Sequence, residues 1–247
     1  MSEAARTSVP RQPALRGLRA RALAGLGRAA RAVVPGMRRV NAQVAPYAAA
    51  WEEHNRAVLA GRAAGGGRRL WVALGDSTAQ GIGATAPTRG YVGQLLALLG
   101  PDWEVVNLSR SGIRLAGLRA DLLPRLGALG PADLVTCAVG ANDLIPTPLD
   151  VIVVELHALL ADLPPASVVA TVPQGLRPPK ATAFNDVVHA EAPAAGLRVA
   201  DVWARTGPPW RGRFASDGFH PNDAGYELWT AAFAAALGLG EGRGQAS

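Results

Sequence analysis

The 247-residue chain is 49% hydrophobic and 18% charged, with a formal net charge of +6, a balance that suits a soluble globular protein with a sizeable core. Cys137 is the only cysteine, which excludes an intrachain disulfide. Residues 1–39 hold nine arginines against the single acid Glu3, so the tail supplies the basic charge and the body is close to neutral, against a nucleic-acid partner.

Residues 1–45 read as a basic, arginine-rich extension. Leu15, Leu18, Ala22, Leu26, Ala29, Ala30 and Val33 fall on one helical face, with Arg16, Arg21, Arg28 and Arg31 mostly opposite. Such a stretch can rest weakly on an anionic membrane through residues 1–40, although Gly17, Gly25 and Gly27 weaken the helix and favour a loosely docked or disordered tail. Arginines interrupt any signal-peptide core, and no apolar run approaches the ~18 residues of a spanning helix. A cytoplasmic protein is expected. Residues 46–67 read as a helix followed by a glycine linker.

From residue 68 to 240 short β-prone runs alternate with helical patterns, and 241–247 form a flexible tail. Strands are expected at 69–74, 103–108, 133–139, 167–172 and 197–202. Helices are expected at 91–99, 114–128, 148–162, 180–192 and 222–237. This alternation predicts an α/β fold with a parallel sheet covered by helices on both faces. In such a sheet the chemistry belongs at the carboxyl ends of the strands.

Taken in order, the strand ends deliver Ser77 in "GDST", Gly112 in "NLSRSG" shortly beyond the second strand, and Asn142 in "GAND". The last loop delivers Asp217 and His220 in "DGFHPN". A serine needs a base such as the His220 imidazole, and the imidazole needs a carboxylate such as Asp217 on its other nitrogen. The N–H groups of Ser77 and Gly112 and the Asn142 amide are candidate donors to a developing oxyanion.

A nucleotide-binding reading of "GDSTAQGIGATA" fails, because no phosphate-binding GxxxxGK[ST] is present and the acid expected after the second strand is missing. Asp76 reads as a loop-organising acceptor, Asp143 as a helix cap and Cys137 as core. No metal-ligand spacing is visible. Trp203 and Trp210 suit a pocket wall or simple packing equally. Arg89, Arg114, Arg177, Arg211 and Arg213 lie in loops that should set specificity, as recognition groups or as solvated charges.

Together the blocks at 75–77, around Gly112, at 140–143 and at 217–222 resemble the four signature blocks of the SGNH, or GDSL, hydrolase family. The resemblance covers roughly residues 69–240. It implies a flavodoxin-like three-layer α/β/α sandwich with a central five-stranded parallel sheet, and a serine hydrolase cleaving an acyl ester through an acyl-enzyme. Carbohydrate deacetylase and thioesterase activities are alternatives on the same site. It further implies Ser77, Asp217 and His220 as catalytic residues and Ser77, Gly112 and Asn142 as the oxyanion hole. Neither cofactor nor metal is implied, and the partner is a small-molecule ester. Thr78 departs from the family's usual leucine and bears on pocket shape. Oligomeric state is not legible.

Overall fold

Within the first strand, Leu70, Val72 and Leu74 belong to one buried cluster while Trp71 and Ala73 belong to another. A strand that buries both faces must have a layer on each side, which is why its sequence reads as a continuous apolar run rather than an alternation. The computed structural model describes residues 35–239. In chain order they form α1 (Pro35–Asn41), α2 (Val44–Ala63), β1 (Arg69–Gly75), α3 (Tyr91–Leu99) and β2 (Trp103–Asn107). Next come α4 (Leu115–Gly117, Leu118–Leu122 and Leu123–Ala128, the middle part π-helical), β3 (Leu134–Ala138), α5 (Leu149–Asp162) and β4 (Val168–Ala170). The chain continues through α6 (Pro178–Glu191), β5 (Arg198–Ala200), α7 (Val202–Arg205) and α8 (Asp223–Ala236).

The five strands are parallel and ordered β2-β1-β3-β4-β5. That is the doubly wound order, with its switch point between β1 and β3. Helices α4, α5 and α6 cover one face through Leu118, Leu122, Ile152, Leu156 and Phe184. Helices α3 and α8 cover the other, where Tyr91 stacks on Phe233 at 4.7 Å between ring centroids. Among the described residues, no helix is long and apolar enough to cross a membrane.

Two boundaries differ from the sequence expectation. Residues 35–45, read as part of the extension, form α1 and the start of α2, and they contact the body: Val40 is buried and Ser216 Oγ donates to Gly36 O. The helix expected within residues 46–67 runs over Val44–Ala63 and packs along the outer edge of β2. There the His54 ring meets Val105 O at 3.0 Å, while the Asn55 amide donates to Asn107 O and accepts from Asn107 N, each at 2.8 Å. An edge strand has main-chain groups without a ladder partner, and this helix supplies partners from its side chains. Most of the stretch read as membrane-facing, residues 1–34, lies outside the described residues, as does the 241–247 tail.

Candidate active site

β1 ends at Gly75, and the chain then makes a series of tight turns. Gln80 N donates to Asp76 O, Gly81 N to Thr78 O and Ile82 N to Ser77 O, so the hydrogen-bond spacing changes at each step. Asp76 organises this turn. Its Oδ1 accepts from Thr78 N at 2.9 Å and from the Thr78 hydroxyl at 2.8 Å. Its carboxyl is 2% exposed, and that burial pushes its pKa up despite the Thr78 hydrogen bonds. Thr78 thus serves Asp76 and also lines the cleft beside the site.

The loop before α8 supplies the imidazole. Asp217 Oδ1 accepts from the main-chain N–H groups of Phe219 and His220, both at 3.0 Å, which folds the three-residue offset into a turn. Oδ2 is then left facing His220 Nδ1 at 2.6 Å. Burial by itself would raise the Asp217 pKa. The hydrogen bonds from the His220 ring and from Phe219 N–H outweigh it and hold the carboxyl below its ordinary 3.8. With Nδ1–H donating to the carboxylate, Nε2 is left as an acceptor, and it lies 3.0 Å from Ser77 Oγ. Ser77 and His220 are 143 positions apart in sequence, and the strand-end topology brings them together.

The remaining predicted residues border the same place. The Asn142 amide donates to Ile113 O at 3.0 Å and to Asp76 Oδ2 at 3.3 Å. It therefore bridges the residue before Ser77 and the residue after Gly112. Gly112 has φ of +76° and nothing within 4 Å of where a Cβ would stand. Glycine adopts that backbone conformation without strain. Pro221 precedes the cap of α8: Asn222 is the N-cap, its side chain accepting from Gly225 N at 3.0 Å.

Asp143 does not cap its own segment. Its Oδ2 reaches across to Leu115 N at 3.1 Å, at the start of α4. Burial pushes its pKa from 3.8 up to about 6. Because the folded-state value is raised, the native state holds this proton where the unfolded chain has lost it, and the contribution to stability falls as pH rises from 3.8 to about 6. Asp143→Asn keeps an acceptor for Leu115 N and removes the titration. Its melting temperature should match wild type near pH 3 and exceed it at pH 7. A difference that does not change with pH would contradict this.

Beside His220 opens a cleft of about 260 Å³. Its walls are largely apolar, with Leu176, Trp210, Phe214, Phe219 and Trp229 among them. Trp210 thus lines the cleft, whereas Trp203 packs against the core. Of the five loop arginines, Arg213 borders the cleft and donates to Ala224 O, and Arg89 pairs with Asp223 at 3.3 Å. Arg114, Arg177 and Arg211 are exposed. Cys137 is fully buried, and burial pushes its thiol up to about 12. His157 pairs with Glu191 of another helix at 2.9 Å. Among the described residues, no group of three His, Cys, Asp or Glu side chains is placed to hold a metal ion.

Residues 73–228 match the model of the GDSL-like lipase/acylhydrolase family. Among solved structures, the chain resembles TesA at 25% identity, with 68% of this chain and 98% of TesA covered and a TM-score of 0.57. A variant of Axe2, an acetyl-xylooligosaccharide esterase from Geobacillus Stearmophilus, aligns at 21% identity over 69% of this chain and 94% of its own, with a TM-score of 0.57. The aryl esterase of M. Smegmatis aligns at 18% identity over 68% of this chain and 98% of its own, again with a TM-score of 0.57. No curated protein matches the sequence.

Proposed function

Because the chain belongs to the GDSL-like lipase/acylhydrolase family and is an ester hydrolase, we propose that it cleaves small acyl esters through an acyl-enzyme on Ser77. The observation that carries this reading is the hydrogen-bonded line from Ser77 Oγ to His220 Nε2 at 3.0 Å and from His220 Nδ1 to Asp217 Oδ2 at 2.6 Å. The Ser77 hydroxyl gives its proton to Nε2 as Oγ bonds to the ester carbonyl carbon. Asp217 steadies the resulting imidazolium, and its lowered pKa keeps it ionised for that task. Negative charge collects on the carbonyl oxygen, with Ser77 N–H, Gly112 N–H and the Asn142 amide as its donors, the amide turning its N–H from the long 3.3 Å contact with Asp76 Oδ2. The imidazolium protonates the departing alcohol oxygen, which breaks the ester bond and leaves the acyl group on Ser77. Water then loses a proton to Nε2 and attacks the acyl carbon, releasing the acid and returning the proton to Oγ.

The cleft next to His220 suits a compact apolar portion of the substrate, since its lining offers aromatic and aliphatic walls with few polar groups. A panel of p-nitrophenyl esters from acetate to palmitate, with an acetylated sugar and an acyl-thioester alongside, tests this. The proposal predicts fastest turnover on short or medium acyl esters. Exclusive turnover of the acetylated sugar or the thioester would replace it with a deacetylase or a thioesterase, and no turnover of any member would defeat it.

Asn142→Ala is expected to lower kcat by about two orders of magnitude, corresponding to ~3 kcal/mol of lost transition-state stabilisation. KM for p-nitrophenyl butyrate should change little. A near-wild-type kcat would remove Asn142 from the oxyanion role.

A further inference from the structure

Helix α2 lies outside the matched residues 73–228 and contributes no group to the chemistry described above. One stripe of it nevertheless reaches the main chain around the site. Gln43, Tyr47, Trp51 and Asn55 are spaced four apart, so they share one helical face. Gln43, immediately before the helix, accepts from Gly83 N at 2.8 Å and donates to Ala84 O at 3.0 Å. Tyr47 donates to Ala84 O at 2.8 Å, and the Trp51 indole N–H donates to Gln80 O at 3.1 Å. Asn55 holds both main-chain groups of Asn107.

Each of those contacts is relayed onward. Gln80, gripped through its carbonyl by Trp51, extends its side chain to Ser109 O and accepts from Ser111 N and the Ser111 hydroxyl. Ser111 is the residue before Gly112. Asn107 donates to Ala79 O at 2.8 Å and accepts from Ser109 N at 3.0 Å, so it ties the same two loops from the other side. Gly83 has φ of +98°, and a Cβ there would stand 2.8 Å from His220 Cβ and 2.4 Å from Pro221 O. Gln43 therefore fixes a segment packed directly against the Cβ of His220.

We propose that this stripe is a positioning clamp: Gln43, Tyr47, Trp51 and Asn55 hold the Ser77 turn, the Gly112 loop and the floor under His220 in register with one another. The inference rests on the acyl-enzyme reading above. The physical need is specific. The 76–84 turn is closed by main-chain bonds of unequal spacing and contains two glycines in the positive-φ region, Gly81 and Gly83, so its internal bonds set its shape while bonds from outside set where it stands relative to the other loops. Donor and nucleophile must be held within about 0.5 Å of their working positions, and a 1 Å error costs about a hundredfold in rate. Bonds to carbonyl and N–H groups fix the main chain itself, which local side-chain packing does not. These are positioning residues, since none reaches the reacting atoms.

The test uses the full chain with Trp51→Phe, Gln43→Ala and the double variant. Trp51→Phe keeps most of the buried aromatic bulk and deletes the indole N–H, so it should fold. Steady-state kinetics on p-nitrophenyl butyrate are measured well below each melting temperature, with labelling by a fluorophosphonate probe in parallel. The double variant should lose about tenfold or more in kcat while KM stays within about twofold, and labelling should slow in proportion. Should the double variant not fold, Trp51→Phe alone decides, by a fall in kcat at constant KM. Arg56→Ala, on the exposed face of the same helix, should leave kcat unchanged. A lowered melting temperature with wild-type kcat would show a merely structural helix and overturn the clamp, as would a rise in KM alone. Wild-type protein that neither turns over ester nor labels would instead defeat the underlying acyl-enzyme reading, and the clamp with it.

Discussion

Ser77→Ala should reduce ester hydrolysis by about 10⁶-fold, the scale of loss when the nucleophile of a serine hydrolase is removed. The fold should survive. Ser77 is 6% exposed, and among the described residues its hydroxyl has one side-chain hydrogen-bond partner, His220 Nε2. The His220 side chain is 16% exposed, so water can meet Nε2 once the hydroxyl is gone and no buried group is left without a partner. The expected result is an inactive protein whose melting temperature stays near that of wild type. Activity within about tenfold of wild type would place the nucleophile elsewhere.

Asp217→Asn should cost about 10⁴-fold in kcat, as the same change does in serine protease triads. The asparagine carbonyl can still accept from Phe219 N and His220 N, which keeps the turn. Its amide would then face Nδ1, forcing the imidazole into the tautomer that carries its proton on Nε2. That nitrogen could no longer accept from Ser77. The wild-type carboxylate has a folded-state pKa below its ordinary 3.8, so the stability it contributes is complete above that value and lost as pH falls through the lower one. Asp217→Asn should therefore remove part of the acid sensitivity of the fold while abolishing most activity at pH 7. An unchanged rate would show that another carboxylate orients His220.

The sheet was legible because parallel strands covered on both faces are mostly apolar along their length, and "RLWVAL" after Arg69 and "DLVTCAV" after Asp133, Thr136 apart, are so. The helices between them were legible to within about two residues, since their apolar stripes recur at the helical period. Ser77, Asn142, Asp217 and His220 were legible as a group because chemistry gathers where strands end. The clamp was not legible. Its residues are polar or aromatic side chains on an alanine-rich helix, and their partners are main-chain atoms 29–52 positions away, which carry no residue identity to read. The fourfold spacing of Gln43, Tyr47, Trp51 and Asn55 was the available signal. Asp143 reads as a helix cap, but which helix it serves was not legible, since its partner is the N–H of Leu115, 28 positions earlier. The π-helical turn Leu118–Leu122 left no mark in a pattern that reads as ordinary α-helix.

Reaction of the folded protein with a fluorophosphonate, read by intact mass and peptide mapping, tests the account most directly. One adduct per chain on Ser77 is predicted, lost in Ser77→Ala and on unfolding before addition, with ester turnover falling in step with labelling. An enzyme that hydrolyses p-nitrophenyl butyrate yet carries its adduct on another residue, or stays fully active with Ser77 modified, would contradict it.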